Sequence, residues 1–302
     1  MRVSLSLIVV CVGLLLVGSF VPGCAGMNLR TAREDRTLHT DAPTAGGLVV
    51  RTSNGSVSIE KDPARADVEI AATVTAAALT EAEAQARLKQ IQVVVAKTTA
   101  QGLEISVQFP DERRSNEGCS FVIRVPSANG VNVDTGNGSV SLKSLDGDAV
   151  VHTSNGGVSV ADQGGTVQID TSNGEIKVER AAAAIRAVTS NGNITIVDSM
   201  GKVDAGTSNG EVSLRVKDAT AGFTISTSNG GVTLSLPRLM NGTVRGTTSN
   251  GRLLAQALSS TNPIRLTDNT RDGGDFELVI GTGGAESSLD TSNGNITLDL
   301  HD

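Results

Sequence analysis

Val167-Gln168-Ile169-Asp170-Thr171-Ser172-Asn173-Gly174-Glu175-Ile176-Lys177-Val178 decides the fold. Val167, Ile169 and Thr171 share one parity, and after the Asn173-Gly174 corner Ile176 and Val178 share the other. Period-two alternation on both sides of a corner marks two half-buried strands. The pattern returns as Ile185, Ala187 and Thr189 with Ile194 and Ile196, as Val203, Ala205 and Thr207 with Val212 and Leu214, and as Phe223, Ile225 and Thr227 with Val232 and Leu234. Thr-Ser-Asn-Gly begins at Thr52, Thr153, Thr171, Thr189, Thr207, Thr227, Thr248 and Thr291, and Thr135-Gly136-Asn137-Gly138 is a near copy. From Thr135 to Thr207 the step is a constant 18 residues; it then becomes 20, 21 and 43. A degraded copy at Thr267-Asp268-Asn269 would divide the longest step, although the alternation around it is off parity. A fixed period of this size belongs to a repeat architecture in which each unit leans on its neighbours.

Asn-Gly between alternating runs is also a hairpin signal. A hairpin, however, gives no reason for Thr and Ser to recur before it, and a long one-sided meander leaves an apolar face to be covered or closed. A membrane barrel is excluded, because runs near six residues fall short of the 9–11 needed and no Trp or Tyr girdle exists. Stacked coils answer both points, since equivalent residues then lie above one another at about 4.8 Å. The expectation is an all-β chain: a single-chain β-solenoid (β-helix) with about 18–21 residues per coil, preceded by an irregular N-terminal β region with one short helix. Its corner asparagines are expected to point inward as an amide ladder: Asn54, Asn137, Asn155, Asn173, Asn191, Asn209, Asn229, Asn250 and Asn293. The inward threonines would form a hydroxyl ladder beside them, and the following glycine would supply a positive φ.

Met1-Arg2 and the apolar run through Phe20 read as an export signal, residues 1–23, set apart from the fold. Val21-Pro22-Gly23-Cys24 resembles a bacterial lipoprotein cleavage box with Cys24 as the lipid-attachment residue, except that Pro22 replaces the usual small or aliphatic residue. Ordinary cleavage and an uncleaved apolar anchor are the alternatives; all three place the rest of the chain outside the cytoplasm, attached to the membrane through lipid or signal anchor in the first and third. Residues 24–46 carry Arg30, Arg33, Glu34, Asp35 and Arg36 without periodicity and read as a flexible tether. Residues 47–126 form the N-terminal β region, where Thr80 and Glu83 spell a capping box ahead of Ala84, Leu88 and Ile91. Residues 127–302 hold the repeats. The last run, Ile296 to Leu300, has no evident cap, so an open solenoid end is a candidate for self-association.

Val122-Ile123-Arg124-Val125-Pro126 leading into Val131-Asn132-Val133-Asp134-Thr135-Gly136-Asn137-Gly138, followed by the repeats, resembles the bacterial putative-adhesin family of β-strand-repeat proteins, a domain of unknown function. The resemblance runs from about Gly47 to Leu300. It implies a β-helical extracytoplasmic protein and supplies no catalytic residues.

The net charge is −7, and loss of Arg2 with the leader leaves 24 basic against 32 acidic residues, or −8. A mildly acidic chain without a basic stripe is a poor nucleic-acid partner. No Trp, no Tyr and five Phe remove most stacking platforms. Cys11 lies in the leader and Cys24 at the proposed cut, so Cys119 has no intramolecular partner and reads as a small apolar strand residue. The position before Thr holds Asp134, His152 and Asp170 in three coils, a column that fits a general base or a metal site and also fits an exposed charge ladder, the reading preferred here. Asp146-Gly147-Asp148 and Asp272-Gly273-Gly274-Asp275 lack a full calcium-ligand spacing and read as turns. Ser141, Ser159, Lys177, Thr195, Ser213 and Thr233 form an outward column whose hydroxyl regularity Lys177 breaks. The function these features favour is a non-enzymatic, envelope-anchored scaffold or adhesion module with no cofactor, meeting an envelope or surface protein or polysaccharide. A self-assembling or envelope-sensing protein and a polysaccharide-active β-helix enzyme are the rivals.

Overall fold

The computed structural model describes residues 11–13, 29–43, 46–98, 102–110, 114, 116–217, 221–255, 262–270 and 273–301. The cleavage box, Cys24 and most of the leader lie outside the described residues. The chain is all-β with one helix and divides into two compact units, Met1–Val140 and Ser141–Asp302.

In the first unit β1 (Cys11–Gly13) pairs antiparallel with β2 (Arg30–Asp41). Three more strands are β3 (Leu48–Asn54), β4 (Val57–Lys61) and β5 (Asp67–Ala78); helix α1 (Glu81–Leu88) is followed by β6 (Gln92–Lys97), β7 (Leu103–Gln108), β8 (Gly118–Val125) and β9 (Val131–Asn137). One sheet runs β2-β5-β8-β4 and the other β9-β3-β7-β6. Strands β3 and β9 are parallel and in register, so Thr52 faces Thr135 and Asn54 faces Asn137, 83 positions further along the chain. The near copy of the tetrapeptide therefore sits with N-terminal residues, in the unit that ends at Val140.

Part of the expected tether, Arg30–Asp41, is a strand. Residues 30–41 pair along their whole length with β5. Ala32 and Leu38 are buried. Between them Arg36 donates to Glu34 Oε2 at 2.9 Å and to the carbonyl oxygens of Leu88 (3.0 Å) and Ile91 (2.6 Å). Charged residues that neutralise each other and satisfy a helix end occupy the inner face, so apolar periodicity is absent where a strand nevertheless forms. The helix itself follows its local signal: Thr80 Oγ1 accepts from Glu83 N and Glu83 returns the bond to Thr80 N, while Ala84 and Leu88 are buried. Glu117 is fully buried against Arg87 of that helix, with an Nη2–Oε2 bond of 3.1 Å, and also accepts from Arg114 N at 3.0 Å. Cys119 is buried, and desolvation pushes its thiol up to about 12, which suits the small apolar strand residue expected from sequence.

The second unit is a β-solenoid. Its strands are β10 (Val140–Lys143), β11 (Ala149–Thr153), β12 (Val158–Ala161), β13 (Val167–Thr171), β14 (Ile176–Glu179), β15 (Ile185–Thr189), β16 (Ile194–Ser199), β17 (Val203–Thr207), β18 (Val212–Val216), β19 (Phe223–Thr227) and β20 (Val232–Pro237). Then come β21 (Gly242–Thr248), β22 (Leu253–Ala255), β23 (Ile264–Asp268), β24 (Gly274–Ile280), β25 (Ala285–Thr291) and β26 (Ile296–His301). One wall stacks β11, β13, β15, β17 and β19 in parallel, with Val167, Ile185, Val203 and Phe223 aligned. The other stacks β12, β14, β16, β18 and β20, with Ile176, Ile194, Val212 and Val232 aligned. The inward residues of both walls are buried and form the core. Each large aliphatic among them contributes roughly 1.5–3 kcal/mol.

Three expectations about the corner change. The amide ladder exists, but at the exposed edge rather than inside: Asn173 donates to Asn155 Oδ1 (2.9 Å), Asn191 to Asn173 (2.8 Å), Asn209 to Asn191 (2.8 Å) and Asn229 to Asn209 (2.9 Å). Parity decides this, because an inward Thr puts the Ser after it outward and the turn then carries Asn along the rim. In the first unit Asn137 donates to Asn54 Oδ1 (2.7 Å), and Asn54 donates to Glu117 O (3.0 Å). The buried threonines make no hydroxyl ladder. Thr135, Thr171, Thr189, Thr207, Thr227, Thr248 and Thr291 donate instead to a glycine carbonyl of the neighbouring corner, as Thr189 does to Gly174 O (3.1 Å) and Thr207 to Gly192 O (3.0 Å), while Thr52 donates to Cys119 O (2.9 Å). Gly174, Gly192, Gly210 and Gly230 do not have positive φ. They are glycine because a Cβ at each would collide with the carbonyl of the glycine one coil below. At the other corner four residues that are not glycine adopt the left-handed conformation, Ser144, Asp162, Arg180 and Asp198, with φ of 53–58° at 18-residue intervals.

The chain order breaks at the end. Strand β25 lies between β19 and β21, and β26 between β20 and β22. The run Ile296 to Leu300 therefore pairs throughout with β20 and, from Ile296 to Leu298, with β22 on its other side, so it is not the edge strand expected of it. Asn293 correspondingly donates to Asn229 Oδ1 (2.9 Å) and Asn250 to Asn293 Oδ1 (2.8 Å). The 43-residue step thus separates spatial neighbours, and Thr267-Asp268-Asn269 is no repeat: β23 and β24 form an antiparallel hairpin on β21.

Candidate functional site

The position before each buried Thr builds an outward column on one wall. In the second unit His152 faces Asp170, with Nδ1 and Oδ2 3.5 Å apart and side chains 47 % and 37 % exposed. Asp134 belongs to the first unit, where it faces Arg51. His152 and Asp170 stand open to solvent on a flat wall, which fits an exposed charge ladder. The Asp146-Gly147-Asp148 turn is likewise structural: Asp148 Oδ1 accepts from Thr166 N (2.8 Å) and Thr166 Oγ1 (2.7 Å), bonds that lower its carboxyl below the usual range. On the opposite wall Ser159, Lys177, Thr195, Ser213 and Thr233 do align, and Lys177 is tied to Glu179 at 2.8 Å. Among the described residues no group of His, Cys, Asp and Glu is arranged to hold a metal ion.

The far end of the same column carries the better site. From Asp170 the aligned positions are Val188, Gly206, Ser226, Asp290 and Thr247. At Asp290 two hollows meet. One, of about 190 Å³, is lined by hydroxyl residues including Ser226, Ser228, Ser249 and Ser292. The other, of about 350 Å³, is lined by Arg245, Asp275, Phe276, Glu277 and Ser288 among others; Thr247 and Asp290 border both.

The insertion of β25 assembles this site. It brings Asp290 beside Ser226 on one side and Thr247 on the other, and Thr247 Oγ1 donates to Asp290 Oδ1 at 2.7 Å. The β24 hairpin supplies Glu277 opposite Arg245. Arg245 is gripped between Glu286 (3.1 Å) and Glu277 (3.0 Å), and those bonds hold its guanidinium above the ordinary value. Phe276 is buried under the larger hollow, and its ring occupies the space above Gly246 that a Cβ would need. The result is an acidic, hydroxyl-rich depression whose one arginine is already neutralised. Sequence reading followed this column only through its first three members. Asp290 carried the same signal, the position before Thr291, whereas Arg245 and Glu277 carried none, because strands out of chain order bring them to it.

The family model described as Toastrack DUF4097 matches residues 44–299. No curated protein matches the chain. Among solved structures, a putative adhesin from Bacteroides fragilis is 12 % identical, covers 90 % of this chain and 98 % of its own, and has a TM-score of 0.46. A putative cell adhesion protein from Clostridium sporogenes is 11 % identical, covering 90 % of this chain and 100 % of its own at a TM-score of 0.28. A putative adhesin from Parabacteroides distasonis is 8 % identical, with 91 % and 97 % covered and a TM-score of 0.40.

Proposed function

The chain belongs to the Toastrack DUF4097 family, and on that premise we propose that it is an envelope-anchored, extracytoplasmic β-solenoid that acts as a non-enzymatic surface scaffold and binding module. The observation that carries the reading is the combination of an apolar leader ending at Cys24 with a repeat body whose outward charges satisfy one another. Arg180 makes a two-point contact with Asp162 (2.6 and 3.0 Å), Arg186 meets Asp204 (2.5 Å), and Lys177 meets Glu179. Such walls offer contact surface; a catalytic centre would call for groups left poised for proton transfer in a closed site. No helix among the described residues is long and apolar enough to cross a membrane.

The test is fractionation of cells producing the full chain. Membrane association that is lost in Cys24→Ser, together with globomycin-sensitive processing, supports lipid anchoring; unchanged association and processing overturn it. Retention of envelope material by the immobilised full chain tests the binding role, and its absence overturns that role.

A further inference from the structure

We propose that the paired hollows around Asp290 bind a neutral saccharide. The inference rests on the reading of the chain as a surface binding module and names its ligand class.

Volume comes first. The two hollows, about 350 and 190 Å³, adjoin through Thr247 and Asp290, and a space of this order holds a small ligand. Charge then selects the ligand. Arg245, the cation at the site, is held by both Glu277 and Glu286, so an anionic ligand finds unneutralised carboxylates and no available counter-charge. Metal ions are disfavoured because the described carboxylates do not converge on a point. A peptide anchored by an aromatic side chain finds little ring to stack on, since Phe276 is only 3 % exposed.

A neutral polyhydroxyl compound meets every group present. Asp290 Oδ1 accepts from Thr247 Oγ1, and Asp290 lines both hollows, so its carboxylate has a second oxygen to accept from a ligand hydroxyl. Ser226, Ser228, Ser249 and Ser292 are exposed and can donate or accept. Because β19, β25 and β21 are adjacent and in register, Ser226, Asp290 and Thr247 stand side by side at the inter-strand spacing of about 4.8 Å. A row of hydroxyl, carboxylate and hydroxyl at that spacing matches a chain of sugar hydroxyls, and without a stacking ring the recognition is by hydrogen bonds alone.

The full chain is presented to an array of neutral gluco-, manno- and galacto-oligosaccharides and their uronic-acid counterparts, then titrated with the neutral members retained. The expected result is binding of at least one neutral series and none of the uronates. Asp290→Asn should weaken that binding at least tenfold, Ser226→Arg should abolish it by filling the smaller hollow, and Asp170→Asn, lower in the same column, should leave it unchanged. Asp290 and Ser226 are exposed, so thermal unfolding of the variants should match the parent. Failure to retain any neutral saccharide overturns the proposal, as does full binding by both Asp290→Asn and Ser226→Arg. Capture of envelope material by the same variants separates the two ideas: retained capture without saccharide binding leaves the module standing and removes this site.

Discussion

A methyl group added at Gly210 would fall on the carbonyl oxygen of Gly192, because successive corners stack with their backbones in contact. Gly210→Ala should therefore lower stability by about 2 kcal/mol, read from urea unfolding. Gly206→Ala should change it by no more than about 0.5 kcal/mol, since the added atom meets only the mobile Ser226 hydroxyl at 3.1 Å. Equal losses at both positions would show that backbone freedom, not space, sets the requirement. The opposite corner titrates. Asp162 has its carboxyl lowered by the hydrogen bonds from Arg180. A depressed native value means that the contribution is present above the unfolded value, near pH 4, and is lost as pH falls through the native one. Arg180→Gln should flatten that acid limb at low salt, measured as unfolding midpoint against pH from 5 to 2; an unchanged slope would remove the pair from the account.

At the scale of elements, the buried ion pair between α1 and the segment before β8 is the most exacting contact. Glu117→Gln leaves Arg87 charged, buried and deprived of its carboxylate, and should cost about 3 kcal/mol; replacing both residues with Met should cost much less. Chemical denaturation of the two variants decides it, and equal losses would contradict a desolvated pair. This element also shows where sequence reading reaches. Thr80 and Glu83 announce α1 because a cap is local chemistry, and the repeat strands announce themselves because their alternation is apolar. Strand β2 stays hidden because its inner face is Ala32, Glu34, Arg36 and Leu38, and the charged pair at its centre makes sense only once the end of α1 is beside it. The amide ladder was legible in composition and misplaced in depth: Asn-Gly repetition implies stacking, whereas which side of the wall it occupies depends on the turn that follows Thr.

At the scale of the whole molecule, the solenoid of the second unit closes out of order. The coil of β21 and β22 is laid down one position too far, and β25 and β26 return to fill the gap. Strand β22 finds its described sheet partner only in β26. Pulse-labelled hydrogen exchange during refolding should therefore show Leu253–Ala255 gaining protection no earlier than Ile296–His301, and a chain lacking residues 285–302 should leave those amides unprotected. Earlier protection of Leu253–Ala255 would mean that the coil docks without its wedge. This displaced order also explains why the fold was readable and the site was not. A period survives insertion, because each coil still presents the same corner, while neighbourhood across a 43-residue step does not.

The asparagine column has one more effect. Between Asn155 and Asn250, the amides of Asn173, Asn191, Asn209, Asn229 and Asn293 each give a hydrogen in one direction and take one from the other. Asn-Gly is the dipeptide most prone to spontaneous cyclisation and ageing, since glycine leaves the next nitrogen free to attack the side-chain carbonyl. An amide clasped from above and below cannot swing into that attack. The column that holds the rim together thus also protects it chemically, and within the column the first lesion belongs at Asn250, the end member, whose oxygen receives no hydrogen from another described asparagine.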